Sequence, residues 1–153
     1  MENYKSAVDY LTAVQPSDPV ICHRPQAALR SARWFLKHFP GKVLYAVKAN
    51  SSPIILQSLC EAGIAHFDVS SPEEIALLSA YRGTTLYCMN PVKHPAHIRI
   101  AYFDYGVRDF ALDTHDELQK ILASTENAQD LNLHVRLSVD NRGSRLPLGS
   151  KYG

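Results

Sequence analysis

Short runs rich in β-branched and aromatic residues alternate, between residues 42 and 137, with longer segments whose apolar residues recur every three or four positions. The runs Lys42–Val47, Ala65–Val69, Thr84–Cys88, Asp109–Leu112 and Leu131–Leu137 predict five strands. The intervening segments carry helix signals. Ser52-Pro53 offers a cap and a first-turn proline, Ile55, Leu56, Leu59 and Cys60 share a face, and Gly63 is placed to end the helix. Ser71-Pro72-Glu73-Glu74 reads as a capping box with Ile75 and Leu78 inward and Gly83 as the stop; Thr114-His115-Asp116-Glu117 is a second box leading to Leu118, Ile121 and Leu122. Ala27–His38 reads as a helix that ends before Phe39-Pro40-Gly41.

A strand and a helix repeating about every 20 to 25 residues is the rhythm of stacked βα units. Strands joined by helices run parallel, and a parallel sheet is covered on both faces. An open doubly wound sheet usually begins with a glycine-rich first turn, but here the first strand leads into Lys48-Ala49-Asn50-Ser51-Ser52-Pro53, which has no glycine. The better fit is a (β/α)8 barrel, which needs about 250 residues. With about five βα units and two open strand edges, the chain is expected to be part of a longer polypeptide.

Composition narrows the function classes. At 153 residues and 46% hydrophobic, the chain can build one globular core. A net charge of +1 with interspersed signs gives neither a basic stripe for nucleic acid nor a polybasic run for a membrane surface. No apolar run approaches the roughly 20 residues of a membrane span, and the start MENYKSAVDY is too polar for a secretory leader, so the cytoplasm is expected. Cys22, Cys60 and Cys88 are widely spaced and without CxxC pairing; they imply neither a disulfide framework nor a metal site, and are expected to be buried free thiols.

Three strand ends carry candidate chemistry. Period-two alternation puts Leu44, Ala46 and Lys48 on one face of the first strand. If the bulkier Val43, Tyr45 and Val47 face the helices, Lys48 projects inward at the C-terminal end, where barrel enzymes place their sites. A lysine there shifts pKa readily and suits Schiff-base chemistry; a solvated lysine at a strand end is the alternative. His66, Asp68 and Ser70 share a face of the second strand, and Asp68 either pairs with Lys48 or caps the next helix. His134, Arg136 and Ser138 share a face of the fifth, where an inward arginine needs an anion from a ligand or from the protein.

Tyr45-Ala46-Val47-Lys48-Ala49-Asn50 resembles the cofactor-lysine motif of the fold-type III pyridoxal phosphate (PLP) enzymes, which contain the ornithine, lysine, arginine and diaminopimelate decarboxylases. The later motifs follow in the same order. Phe67–Ile75 is similar to the second-strand motif, and Asn90-Pro91-Val92-Lys93 to the turn after the third strand in the ornithine and lysine branch. Tyr105–Asp113 with Glu117-Leu118 resembles the fourth strand and helix, Leu133–Leu137 the fifth strand, and Ser144–Gly153 a loop ending in lysine, an aromatic and glycine. The match runs from about residue 19 onward, and an ordered series is far more specific than any one motif.

The resemblance implies residues 1–153 as the partial PLP-binding domain of an alanine-racemase-like (β/α)8 barrel, without the C-terminal barrel strands and the β-domain. It implies a PLP-dependent carboxy-lyase of polyamine biosynthesis that converts ornithine or lysine to a diamine, acting as a cytoplasmic homodimer. Lys48 would hold the cofactor, Asp68 and Glu74 would lie beside it, Arg136 would line the pocket, and Lys151 would form an ion pair across the dimer. The family's ring-stacking histidine, phosphate-binding glycine loop and Glu-Pro-Gly-Arg turn have no counterpart in the sequence, and with the remaining strands missing the 153-residue chain alone is expected to be inactive and poorly folded. Alternatives are the diaminopimelate branch, an amino acid racemase, or a decarboxylase-like protein that regulates partners without catalysis.

Overall fold

The computed structural model describes residues 3–138, 143 and 145. Five strands, β1 (Leu44–Ala46), β2 (His66–Asp68), β3 (Thr85–Cys88), β4 (Asp109–Leu112) and β5 (Asn132–Val135), form one sheet in sequential order, every pair parallel. The connecting helices are α3 (Pro53–Ala62), α4 (Pro72–Ser79), α5 (Pro95–Arg99) and α6 (His115–Ser124), preceded by α1 (Ala7–Val14) and α2 (Pro25–His38). Sequential parallel order is the arrangement of consecutive barrel units, not of a doubly wound sheet, whose order reverses at a switch point.

One sheet face builds the core. Val43, Tyr45, Val47, Phe67, Val69, Leu86, Cys88, Phe110 and Leu112 join Leu56, Leu59, Ile75, Leu78, Ile98 and Ile121 in one apolar cluster. Phe67, Phe110, Leu56 and Leu78 are fully buried. Burying side chains of this size contributes about 2–3 kcal/mol each, so alternate strand positions dictate which face takes the helices. The opposite face carries Leu44, Ala46, His66, Asp68, Thr85, Tyr87, Asp109, Ala111, Asn132 and His134. On β5 the aliphatic face stays open, with Val135 64% exposed.

Local chemistry explains most boundaries. Gly63 ends α3 in the left-handed region at φ 102°, and Ile64 N–H reaches back to the Leu59 carbonyl at 3.0 Å, a Schellman closure. Ser71 Oγ accepts the Glu74 N–H at 3.3 Å, while the Glu74 carboxylate reaches back to Ser70 rather than to the cap residue, taking its N–H at 2.7 Å and its hydroxyl at 3.0 Å.

Several expectations are corrected. Ser52 makes no side-chain cap; its Oγ is buried without a hydrogen-bond partner among the described residues, and Asn50 Oδ1 accepts the Ser52 N–H at 3.0 Å instead. Helix α4 stops at Ser79, before Gly83, which at φ 79° serves the turn into β3. The first strand closes at Ala46 because Val47–Ala49 tightens into a 3-10 turn, and β5 closes at Val135. Two helices were not expected. Ser6 Oγ caps α1 by accepting the Asp9 N–H at 3.1 Å, yet α1 buries no residue, so periodicity had little core to report. In α5, only five residues long, His94 Nδ1 accepts the Ala96 N–H at 3.2 Å; the helix widens over Ile100–Asp104 into a π turn followed by Gly106 at φ 68°. Histidine is an uncommon cap, which hid that start.

Candidate functional site at the strand ends

The parallel register brings the C-terminal ends of the strands to one rim. Ala46 is level with Asp68, Asp68 with Tyr87, and Leu112 with Val135. Lys48, two residues past Ala46, stands exposed on the 3-10 turn rather than within the strand. The turn follows from Asn50, whose N–H closes it on the Val47 carbonyl at 3.1 Å, and from Tyr45, whose hydroxyl donates to the Asn50 carbonyl at 3.2 Å.

Asp68 closes β2, half-buried, with Oδ1 accepting the Met89 N–H at 3.1 Å. Burial pushes its carboxyl above the ordinary value; the Met89 N–H and the Lys48 ammonium pull it back, and the Glu74 charge pushes it up again. Lys48, Asp68 and Glu74 are therefore in one electrostatic neighbourhood. Asp68 does not cap α4; Ser71 does. Arg136 follows β5, its N–H continuing the ladder to the Leu112 carbonyl at 2.8 Å, and its side chain is exposed. Three strand spacings, about 14 Å along the sheet, separate β5 from β2, so Arg136 stands across the rim from Asp68 rather than beside it. Lys151 lies outside the described residues.

Below the rim the same sheet face carries a polar layer that sequence reading did not assemble. Tyr87 Oη accepts from Lys42 Nζ at 3.2 Å and pairs with His66 Nδ1 at 3.1 Å. Asp109, 8% exposed, is held by His134 Nε2 at 2.9 Å and Asn132 Nδ2 at 3.3 Å. Burial and the Lys42 charge hold the His66 pKa below its usual value, against the pull of Asp109. Alternation groups His66 with Asp68, and the same parity on β3, β4 and β5 was the available signal for Tyr87, Asp109 and Asn132.

The turn after β3 is tied to β4 and α6 by several bonds. Lys93 and Glu117 are both buried, their side chains 7% and 3% exposed, with Nζ and Oε1 3.0 Å apart. Lys93 Nζ also donates to the Asn90 carbonyl at 2.9 Å and to the Ala111 carbonyl, and the Lys93 N–H donates to Glu117 Oε1 at 3.2 Å. Lys120 Nζ bonds the other Glu117 oxygen and the Lys93 carbonyl. The expected capping box at Thr114 is thus half made: Thr114 Oγ1 accepts the Glu117 N–H at 3.2 Å, but the carboxylate turns to the two lysines. Burial holds the Lys93 ammonium below its usual pKa, opposed by Glu117.

The cysteines differ from one another. Cys88 is buried, with its thiol pushed up to about 12 by desolvation, Cys60 is half-buried, and Cys22 is exposed, against the expectation that all three are buried.

The rim thus carries a primary amine on a turn, a carboxylate within its field and an arginine across the opening, on consecutive βα units of the barrel type. The domain model "pyridoxal-dependent decarboxylase, pyridoxal binding domain" matches residues 26–153, and the chain belongs to that family. A lysine/ornithine decarboxylase of Selenomonas ruminantium is 36% identical over 120 residues, spanning 76% of this chain and 29% of the relative. Antizyme inhibitor 2 of Xenopus laevis is 34% identical over 122 residues, 78% of this chain and 26% of that protein. The structure of lysine/ornithine decarboxylase from Vibrio vulnificus, complexed with putrescine, superposes with a TM-score of 0.74 at 26% identity, over 90% of this chain and 38% of that one. The chain thus spans less than a third of the curated relatives it matches.

The family's cofactor is pyridoxal phosphate, and the donor set fits it. Lys48 offers an exposed primary amine for the aldehyde, and Arg136 is an exposed cation on the same rim. No helix of the described residues is long and apolar enough to cross a membrane, and no group of three or more His, Cys, Asp or Glu is placed to hold a metal ion among them.

Proposed function

We propose that this chain is the partial PLP-binding barrel domain, residues 1–153, of an enzyme that decarboxylates a basic amino acid of the ornithine or lysine type to a diamine for polyamine synthesis. The observation that carries this reading is Lys48 on the rim turn with Asp68 in its electrostatic neighbourhood. The decarboxylase relatives, and the putrescine bound to the Vibrio protein, support a basic substrate.

Lys48 is the residue that would hold the cofactor through its amine. The chemistry that pyridoxal phosphate would supply there is an electron sink for decarboxylation. Asp68, positioned by the Met89 N–H, places a carboxylate in the electrostatic neighbourhood of the Lys48 amine. Glu74 braces the β2–α4 turn through Ser70, and Arg136 neutralises an anion from across the rim. The free thiols support a reducing compartment such as the cytoplasm. In the longer protein, a homodimer with Lys151 in an ion pair across it is the arrangement the family resemblance supports.

The test is to add pyridoxal phosphate, reduce with borohydride and map the modified lysine. Label on Lys48 is the expected result; a folded chain labelled elsewhere or nowhere overturns the cofactor assignment. The match to antizyme inhibitor 2 favours a second reading, a decarboxylase-like regulator. Product analysis on the full-length protein separates them: carbon dioxide and a diamine for the enzyme, neither for the regulator.

A further inference from the structure

We propose that Lys93 is a positioning residue for the cofactor site: locked by Glu117, it holds the Met89–Lys93 turn where the Met89 N–H fixes Asp68 beside Lys48. The inference rests on the function proposed above and extends it to two residues, Lys93 and Glu117, that touch neither the rim amine nor its carboxylate.

The connection is continuous. Asp68 Oδ1 is bonded at 3.1 Å to an N–H that belongs not to its own strand but to the first residue after β3. The next residue, Asn90, is clamped at both ends, its carbonyl taken by Lys93 Nζ at 2.9 Å and its Nδ2 donating to the Val92 carbonyl at 2.9 Å. Pro91 between them is fully buried. Lys93 then ties the turn to the end of β4 through the Ala111 carbonyl and to α6 through Glu117. A loop that carried only its own hydrogen bonds would be free to peel from the rim, taking the Met89 N–H with it. A buried ammonium with three acceptors is a costly device for holding an ordinary surface turn, and one matched by the need to keep a neighbouring carboxylate in place.

Lys93→Met is the informative variant, since it keeps the unbranched stem and leaves Glu117 its bond to Lys120. The first measurement is amide hydrogen exchange at Met89, expressed relative to Leu86 and Cys88 of β3 so that any global loss of stability cancels. Loss of one positioning hydrogen bond is expected to lower Met89 protection about five- to tenfold relative to those amides. Asp68→Ala should do the same, the double variant no more than either, and Lys93→Arg should restore most of it. A fall shared equally by β3, or additive effects in the double variant, overturns the proposal.

The second measurement is the pH midpoint of pyridoxyl labelling at Lys48. Lys93→Met is expected to move it in the same direction as Asp68→Asn and to add nothing on that background; a midpoint shifted equally with and without Asp68 overturns the coupling. If the unaltered chain takes no label on Lys48, the cofactor reading fails, and the Met89 exchange still decides the positioning role by itself.

Discussion

Replacing Glu117 by alanine should cost far more than its place on a helix surface would suggest. The carboxylate is 3% exposed and answers two ammonium groups and one backbone N–H, while Lys93 is only 7% exposed. Removing the acid leaves the Lys93 ammonium with two carbonyls and no counter-charge in a desolvated site. Breaking a buried pair in this way costs about 3–5 kcal/mol. Lys120, 29% exposed, can swing into water, which favours the lower end of that range. The surface pair Arg99–Glu126, with side chains 52% and 67% exposed, is the internal comparison, and losing it should cost less than about 1 kcal/mol. Urea unfolding of the chain reads both, with midpoints compared at an unchanged slope. The combined Lys93→Met and Glu117→Leu variant should recover most of the loss, because an apolar pair has no charge to desolvate. The reasoning fails if Glu117→Ala costs under about 1 kcal/mol, or if the combined variant is no more stable than Glu117→Ala.

Further outcomes follow from the shifted groups. Burial raises the folded-state Asp68 pKa above its unfolded value, so the native state binds more protons between the two, and the ionised carboxylate lowers stability as pH rises through that window. Asp68→Asn, which keeps an acceptor for the Met89 N–H, should therefore gain stability relative to the parent as pH climbs from the ordinary carboxylate value through the raised one; a difference flat with pH refutes the assignment. Cys88, buried and pushed up to about 12, should resist alkylation at pH 8 until the chain unfolds, whereas exposed Cys22 reacts at once; peptide mapping after a short iodoacetamide pulse distinguishes them, and early Cys88 labelling contradicts the burial.

The order of strands and helices, and with it the parallel architecture, was legible in the chain because it is written in local terms. Proline after serine, glycine after α3 and two-residue alternation each act over a few residues. Alternation also marked the faces of β2, with Phe67 toward the helices and Asp68 on the opposite side. The family motifs point to Lys48 as the residue that would hold the cofactor. What alternation left open was partnership. Lys48 leaves the strand on a 3-10 turn because Tyr45 and Asn50 close it, and Ser52 yields its cap to Asn50. Glu117 has the spacing of a capping-box acid, yet it turns to Lys93, because a buried ammonium 24 residues away needs a counter-charge more than an exposed helix N–H needs an acceptor. Asp109, Tyr87, His66 and His134 meet only once β2 to β5 lie in register. A residue's own conformation is set by its neighbours in sequence; its hydrogen-bond and charge partners are set by whichever distant groups are buried beside it, and that is decided by the tertiary fold.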